Sequence, residues 1–248
     1  MTELLTIRQL LKELRLKGME TVLERELAKA EKQGLSVQQC LTNLLLEEKR
    51  HKQERSLLYR IGQARLPHQW TLESFPFHRQ PGIDKSRIMT LAGLEFVHRG
   101  DNIVFIGEPG TGKTGLALGL LRKALIQGYR GLFTNVQDLL DELYASLADR
   151  STSRFLKRLC NFDVLVLDEL GYLTLSQEQM NMFFKLMDER YTKAKPTIIT
   201  TNLKYESWYD LLKPKSMVDA LLDRLKHRCV SITIQGGDSL RRQEASAE

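Results

Sequence analysis

The apolar run Ile103, Val104, Phe105 and Ile106 leads directly into Gly107-Glu108-Pro109-Gly110-Thr111-Gly112-Lys113-Thr114-Gly115, and an apolar segment with Leu116, Ala117, Leu120 and Leu121 follows. A strand, a glycine-rich loop ending in Gly-Lys-Thr and a helix, in that order, form the Walker A phosphate-binding unit. Gly110 and Gly112 let backbone N–H groups converge on phosphate oxygens, and the helix N-terminus adds the positive end of its dipole. Lys113 is spaced to reach the β- and γ-phosphates of a nucleotide, and the Thr114 hydroxyl to ligate Mg²⁺. Such a unit needs a strand with a helix packed behind it, which commits the chain to an α/β core.

The remaining C-terminal sequence agrees with that commitment. Short apolar strands are predicted over 131–135, 164–167, 197–201 and 230–234, alternating with helical segments. This pattern gives a parallel sheet sandwiched by helices. The 164–167 strand ends in Asp168 and Glu169, the Walker B form. Asp168 would hold the Mg²⁺ shell, and Glu169 would orient or deprotonate an attacking water, so the pair points to ATP hydrolysis. Asn202, at the end of the 197–201 strand, falls at the carboxyl edge of the sheet between the two Walker elements, where a γ-phosphate sensor belongs. Asparagine also terminates strands, so its position alone leaves both readings open.

Upstream, residues 1–66 hold almost no Gly or Pro, and Ile7, Leu10, Leu11 and Leu14, then Leu41, Leu44 and Leu45, recur at helical spacing. Three helices are expected, punctuated by Gly18 and Gly34, with Ser36 and Gln39 forming a capping box at the start of the third. Residues 67–100, rich in aromatics and turn formers, read as a linker docking onto the core, with a short helical stretch around 88–97. Residues 101–248 are then the ATPase domain.

The formal charge of +6 favours a polyanionic partner only weakly. More specific is a stripe of Lys49, Arg50, Lys52, Arg55, Arg60 and Arg65 against one acid, Glu54, suited to nonspecific contact with DNA phosphates or simply to a solvated helix face. A second basic cluster comprises Arg150, Arg154, Lys157 and Arg158. The Leu-rich N-terminal helices would serve equally as a protein-docking module. Cys40, Cys160 and Cys229 are odd in number and far apart, which favours neither a disulfide framework nor a zinc site and fits a reducing cytoplasm. No apolar run approaches the length of a membrane span, so no membrane partner is expected.

The series G-E-P-G-T-G-K-T, L-V-L-D-E-L-G-Y, Arg190-Tyr191, T-T-N, Asp223-Arg224-Leu225 and the closing G-D-S-L-R resembles the IstB family of insertion-sequence helper ATPases, relatives of DnaC-type helicase loaders. The resemblance is dense over 72–242 and looser over the N-terminus. It implies an AAA+ P-loop fold that uses ATP and Mg²⁺ and a homo-oligomeric ring or spiral of subunits; with only a handful of residues after Arg242, the separate C-terminal helical lid usual in AAA+ proteins is not expected. Within that ring Arg224 would reach a neighbour's γ-phosphate as an arginine finger, and Arg241, beside Arg242, would act as a second sensor. It further implies assembly on double-stranded DNA and recruitment of a cognate transposase. A helicase-loading role is the alternative.

Overall fold

The computed structural model describes residues 3–171, 175–237 and 239–240. Two compact units divide between Tyr59 and Arg60.

The first unit is built from α1 (Glu3–Glu13), α2 (Lys17–Gln33) and the greater part of α3 (Val37–Gln63). Leu11, Met19, Val22, Leu23 and Leu44 form its small core. The capping box opens α3 as expected: Gln39 N–H donates to Ser36 Oγ at 3.2 Å, and the Gln39 side chain accepts from Ser36 N–H at 2.9 Å. Gly34 closes α2 in the left-handed conformation, φ 63°. Gly18, expected between helices, instead lies inside α2. Its role is close approach: a Cβ there would stand 2.8 Å from Glu47 O and from Glu48 Cα. That contact lets Glu48 reach across from α3 and cap α2, accepting from Gly18 N–H at 2.7 Å and Met19 N–H at 3.1 Å.

In the second unit, the helical stretch expected around 88–97 is two pieces, α4 (Lys85–Leu91) and α5 (Glu95–Arg99). Leu94, at φ 65°, breaks the helix between them. The linker lies on the core with Leu72, Phe75, Ile83 and Ile88 buried. Next come β1 (Asn102–Gly107), α6 (Lys113–Ile126), β2 (Gly131–Asn135), α7 (Val136–Ala145), α8 (Thr152–Cys160), β3 (Val164–Leu170) and α9 (Gln177–Thr192). The described chain continues through β4 (Thr197–Thr201), α10 (Trp208–Leu211), α11 (Lys215–His227) and β5 (Cys229–Ile234).

All strand pairs are parallel, in the order β2-β3-β4-β1-β5. Ile103 to Phe105, Val164 to Leu167, Ile198 and Ile199 have no exposed surface, as expected of a sheet covered on both faces. Helix α6 packs against β1, β2, β3 and β4, bringing the loop before it to the carboxyl edge of the sheet. Burying each of its Leu side chains contributes about 1.5–3 kcal/mol, so the helix is anchored by packing and its first turn is free for ligand work. Because β4 sits between β1 and β3, the strand ends carrying Gly107, Asp168 and Asn202 converge at one edge.

Candidate nucleotide-binding site

The loop between β1 and α6 closes on itself. Thr111 Oγ1 donates to Glu108 O at 2.8 Å, and Lys113 Nζ donates to Gly107 O at 2.7 Å and Glu108 O at 2.9 Å. Gly110 and Gly112 adopt φ 83° and 90°, in the left-handed region that favours glycine. Gly112 is doubly constrained, since a Cβ would come within 2.7 Å of the Phe75 ring and 2.9 Å of the Leu240 side chain. Linker and C-terminal segment therefore clasp the loop from two sides. Leu240 N–H also donates to Gly110 O at 2.9 Å.

Across the cleft, Thr114 Oγ1 donates to Asp168, 2.9 Å from Oδ1 and 3.2 Å from Oδ2. Burial pushes the Asp168 carboxyl above its ordinary value, as does the charge of Glu169, while hydrogen bonds from Thr200 and Thr114 oppose the shift. A hydroxyl and a carboxylate at a phosphate loop are hard oxygen donors, a set that fits Mg²⁺ completed by water and nucleotide phosphates. Thr114 and Asp168 would hold the ion, which, when bound, neutralises charge on the β- and γ-phosphate oxygens.

Glu169 is exposed beside it, and its carboxylate accepts from Asn135 Nδ2 at 3.0 Å. Its backbone is left-handed at φ 62°, an unusual setting for a glutamate and one that costs roughly 1–3 kcal/mol. Together with Asn202, these groups line a cleft of about 530 Å³, which Trp70 of the linker also borders. That volume suits a nucleotide-sized ligand.

The other expected residues lie elsewhere. Arg224 does not line this cleft; its Nη2 pairs with Asp188 Oδ1 of α9 at 3.2 Å, with 42% of its side chain exposed. Arg241 falls outside the described residues. In the basic stripe, Arg50 pairs with Glu47 and Glu54, and Lys52 with Glu48. Arg60 Nε donates to Leu125 O at 2.9 Å and Arg65 Nη1 to Glu142 at 2.8 Å, so both brace the ATP-binding unit itself. Lys49 and Arg55 are exposed, as are Arg150, Arg154, Lys157 and Arg158. Sequence reasoning missed Trp70, Asn135 and Thr200. The T-T-N run contained a signal for Thr200, but Trp70 and Asn135 have none without the tertiary contacts.

The family described as IstB-like ATP binding protein matches residues 9–248. The chain is 37% identical over 227 residues to an ATP-binding protein of insertion sequence IS21 from Pseudomonas aeruginosa, covering 92% of this chain and 85% of that one. It is 33% identical over 203 residues to an ATP-binding protein of insertion sequence IS5376 from Geobacillus stearothermophilus, covering 82% and 80%. Among solved structures, a DnaC helicase loader aligns at 28% identity with a TM-score of 0.55, over 66% of this chain and 96% of that chain. DnaI aligns at 22% identity with a TM-score of 0.60, over 69% and 96%, a likeness of fold. Among the described residues no helix is long and apolar enough to cross a membrane. The match runs through the phosphate loop and nearly the whole chain besides, and on that ground the chain belongs to the family of IstB-like ATP-binding proteins.

Proposed function

We propose that the chain is an ATP-hydrolysing transposition helper: ATP binding assembles copies on duplex DNA, the assembly remodels that DNA and recruits a transposase, and hydrolysis resets it. The observation that carries this reading is the convergence of the phosphate loop, Thr114–Asp168 and Glu169 on one cleft, in a chain whose relatives belong to insertion sequences. Lys113 would exchange the loop carbonyls for phosphate oxygens. Glu169, once released from Asn135, would take a proton from the attacking water, and Asn202 would donate its amide to the γ-phosphate. Arg224 lies outside its own cleft with its side chain part-exposed, which suits a guanidinium inserted at a neighbouring copy's γ-phosphate. For DNA contact, Lys49 and Arg55 are the best candidates of the N-terminal stripe, because both are exposed while Arg50 and Lys52 are paired with acids. On the ATP-binding unit the exposed face of α8, with Arg154 and Lys157, adds a second candidate surface.

The likeness to a DnaC helicase loader favours a second reading, in which the same ATPase serves a helicase and prefers single strands. Phosphate release and DNA binding, measured with duplex and with single-stranded DNA for the wild type and Glu169→Gln, test both. The transposition helper requires ATP-dependent retention on duplex and a Glu169→Gln protein that binds ATP, stays on DNA and releases no phosphate. A strong single-strand preference would overturn it in favour of the loader, and equal phosphate release by the two proteins would remove Glu169 from catalysis.

A further inference from the structure

Consecutive residues of a regular strand point to opposite faces of a sheet, yet Asp168 and Glu169 both line the same cleft. The register explains how. Leu167 pairs with Ile199 and Leu170 with Thr201, so Asp168 and Glu169 together oppose the single residue Thr200. This is a β-bulge, a device that re-aims side chains. Within it Glu169 takes the left-handed conformation at φ 62°, and the bulge removes its N–H from the β3–β4 ladder. Thr200 closes the gap with its side chain. Its hydroxyl accepts from Glu169 N–H at 3.0 Å and donates to Asp168 Oδ1 at 2.5 Å. On the far side of the bulge, Thr201 Oγ1 donates to Leu170 O.

We propose that Thr200 is a positioning residue for ATP hydrolysis, its single hydroxyl holding the bulge that turns both Walker B carboxylates toward one nucleotide. The inference rests on the ATPase reading above. Thr200 is 1% exposed, so its hydroxyl rather than bulk solvent serves both partners. Removing it takes away the bond from the Glu169 N–H and, of the two hydroxyls that donate to the Asp168 carboxylate among the described residues, leaves that of Thr114. The bulge then loses the bond that closes it, and Glu169 loses the aim that the bulge gives it.

The test compares Thr200→Val, which keeps the shape of the side chain, with Thr200→Ser, which keeps the hydroxyl. Two quantities are read: steady-state phosphate release, and Mn²⁺ affinity in the presence of ATP, followed by the paramagnetic signal of the free ion. Thr200→Val is expected to lose about 10–100-fold in kcat and in Mn²⁺ affinity, as when a residue behind a metal ligand is removed. ATP binding in EDTA should hold within about threefold, because the phosphate loop is untouched. Thr200→Ser should stay near the wild type in both readouts. Wild-type kcat and Mn²⁺ affinity in Thr200→Val, or a Thr200→Ser as defective as Thr200→Val, would overturn the proposal. Thr200→Ala, less crowded in the buried strand, carries the test if Thr200→Val does not fold. A wild type without phosphate release would sink the ATPase reading instead, and Mn²⁺ affinity would still decide for or against Thr200.

Discussion

Arg190, in the last turn of α9, is 1% exposed, and replacing it by Met tests the packing beneath the site. Its guanidinium donates to Thr197 Oγ1 at 3.0 Å, Leu159 O at 2.9 Å, Phe162 O at 3.1 Å and Pro196 O at 2.6 Å. Burial pushes its pKa down to about 10, which leaves it charged at neutral pH. The acceptors sit where the chain enters β3 and β4, the strands whose far ends carry Asp168, Glu169 and Asn202. Met fills the space of the arginine stem and supplies no donor. Each hydrogen bond from a charged donor is worth about 1.5–3 kcal/mol, and relief from burying the guanidinium returns several kcal/mol of that sum. The net destabilisation expected is about 3 kcal/mol, a factor of about 10² in the folding equilibrium. Arg190→Lys should recover less than half of it, because one ammonium cannot span acceptors on both loops. Urea denaturation followed by tryptophan fluorescence measures this in the ATP-binding unit alone, since Trp70 and Trp208 both lie there. A loss below about 1 kcal/mol at unchanged m-value would show that the four hydrogen bonds do not hold the strand entries together.

Acid stability tests the cap on α2. Burial pushes the Glu48 carboxyl up, but the Met19 and Gly18 amides and the Lys52 ammonium bring it below its ordinary value. A depressed carboxyl contributes stability that is present above its unfolded pKa and is lost as pH falls through its folded pKa. The helical signal of the first unit should therefore weaken as pH falls below the ordinary glutamate range, and Glu48→Gln should be weaker at neutral pH and flatter across that descent; parallel acid titrations of the two proteins would refute the cap. Asn135 both restrains Glu169 through Nδ2 and caps α7, accepting from Gln137 N–H at 2.8 Å. Asn135→Asp keeps the cap and repels Glu169, so phosphate release without DNA should rise while the melting temperature holds; unchanged release would remove the restraining role. Arg224→Ala should keep ATP affinity and lose turnover, and mixing it with Glu169→Gln should restore part of that turnover if the arginine acts between subunits. Full turnover by Arg224→Ala alone would end the finger assignment.

The sequence determined the α/β core, because the order of strand, phosphate loop and helix recorded in 103–121 has one structural solution, and the burial needed for a parallel sheet is written in its apolar runs. Five strands and the residues of the Walker elements were legible on local grounds. So was the capping box at Ser36 and Gln39, since both of its hydrogen bonds span three residues. Contacts made at long range were not legible. Gly18 reads as a helix breaker until Glu48, thirty residues away, is seen to need the space. Arg60 and Arg65 read as part of a basic stripe, facing DNA or solvent, and nothing local shows that Arg60 also bonds Leu125 O and Arg65 the Glu142 carboxylate. The phosphate loop is clasped by Phe75 and Leu240 from opposite ends of the unit. Asp168 and Glu169 face one cleft only because a bulge, closed by a hydroxyl on the neighbouring strand, overrides strand alternation. Local patterns encode hydrogen bonds and periodic burial within a few residues. The aim of a catalytic side chain depends on partners that only the folded sheet brings alongside.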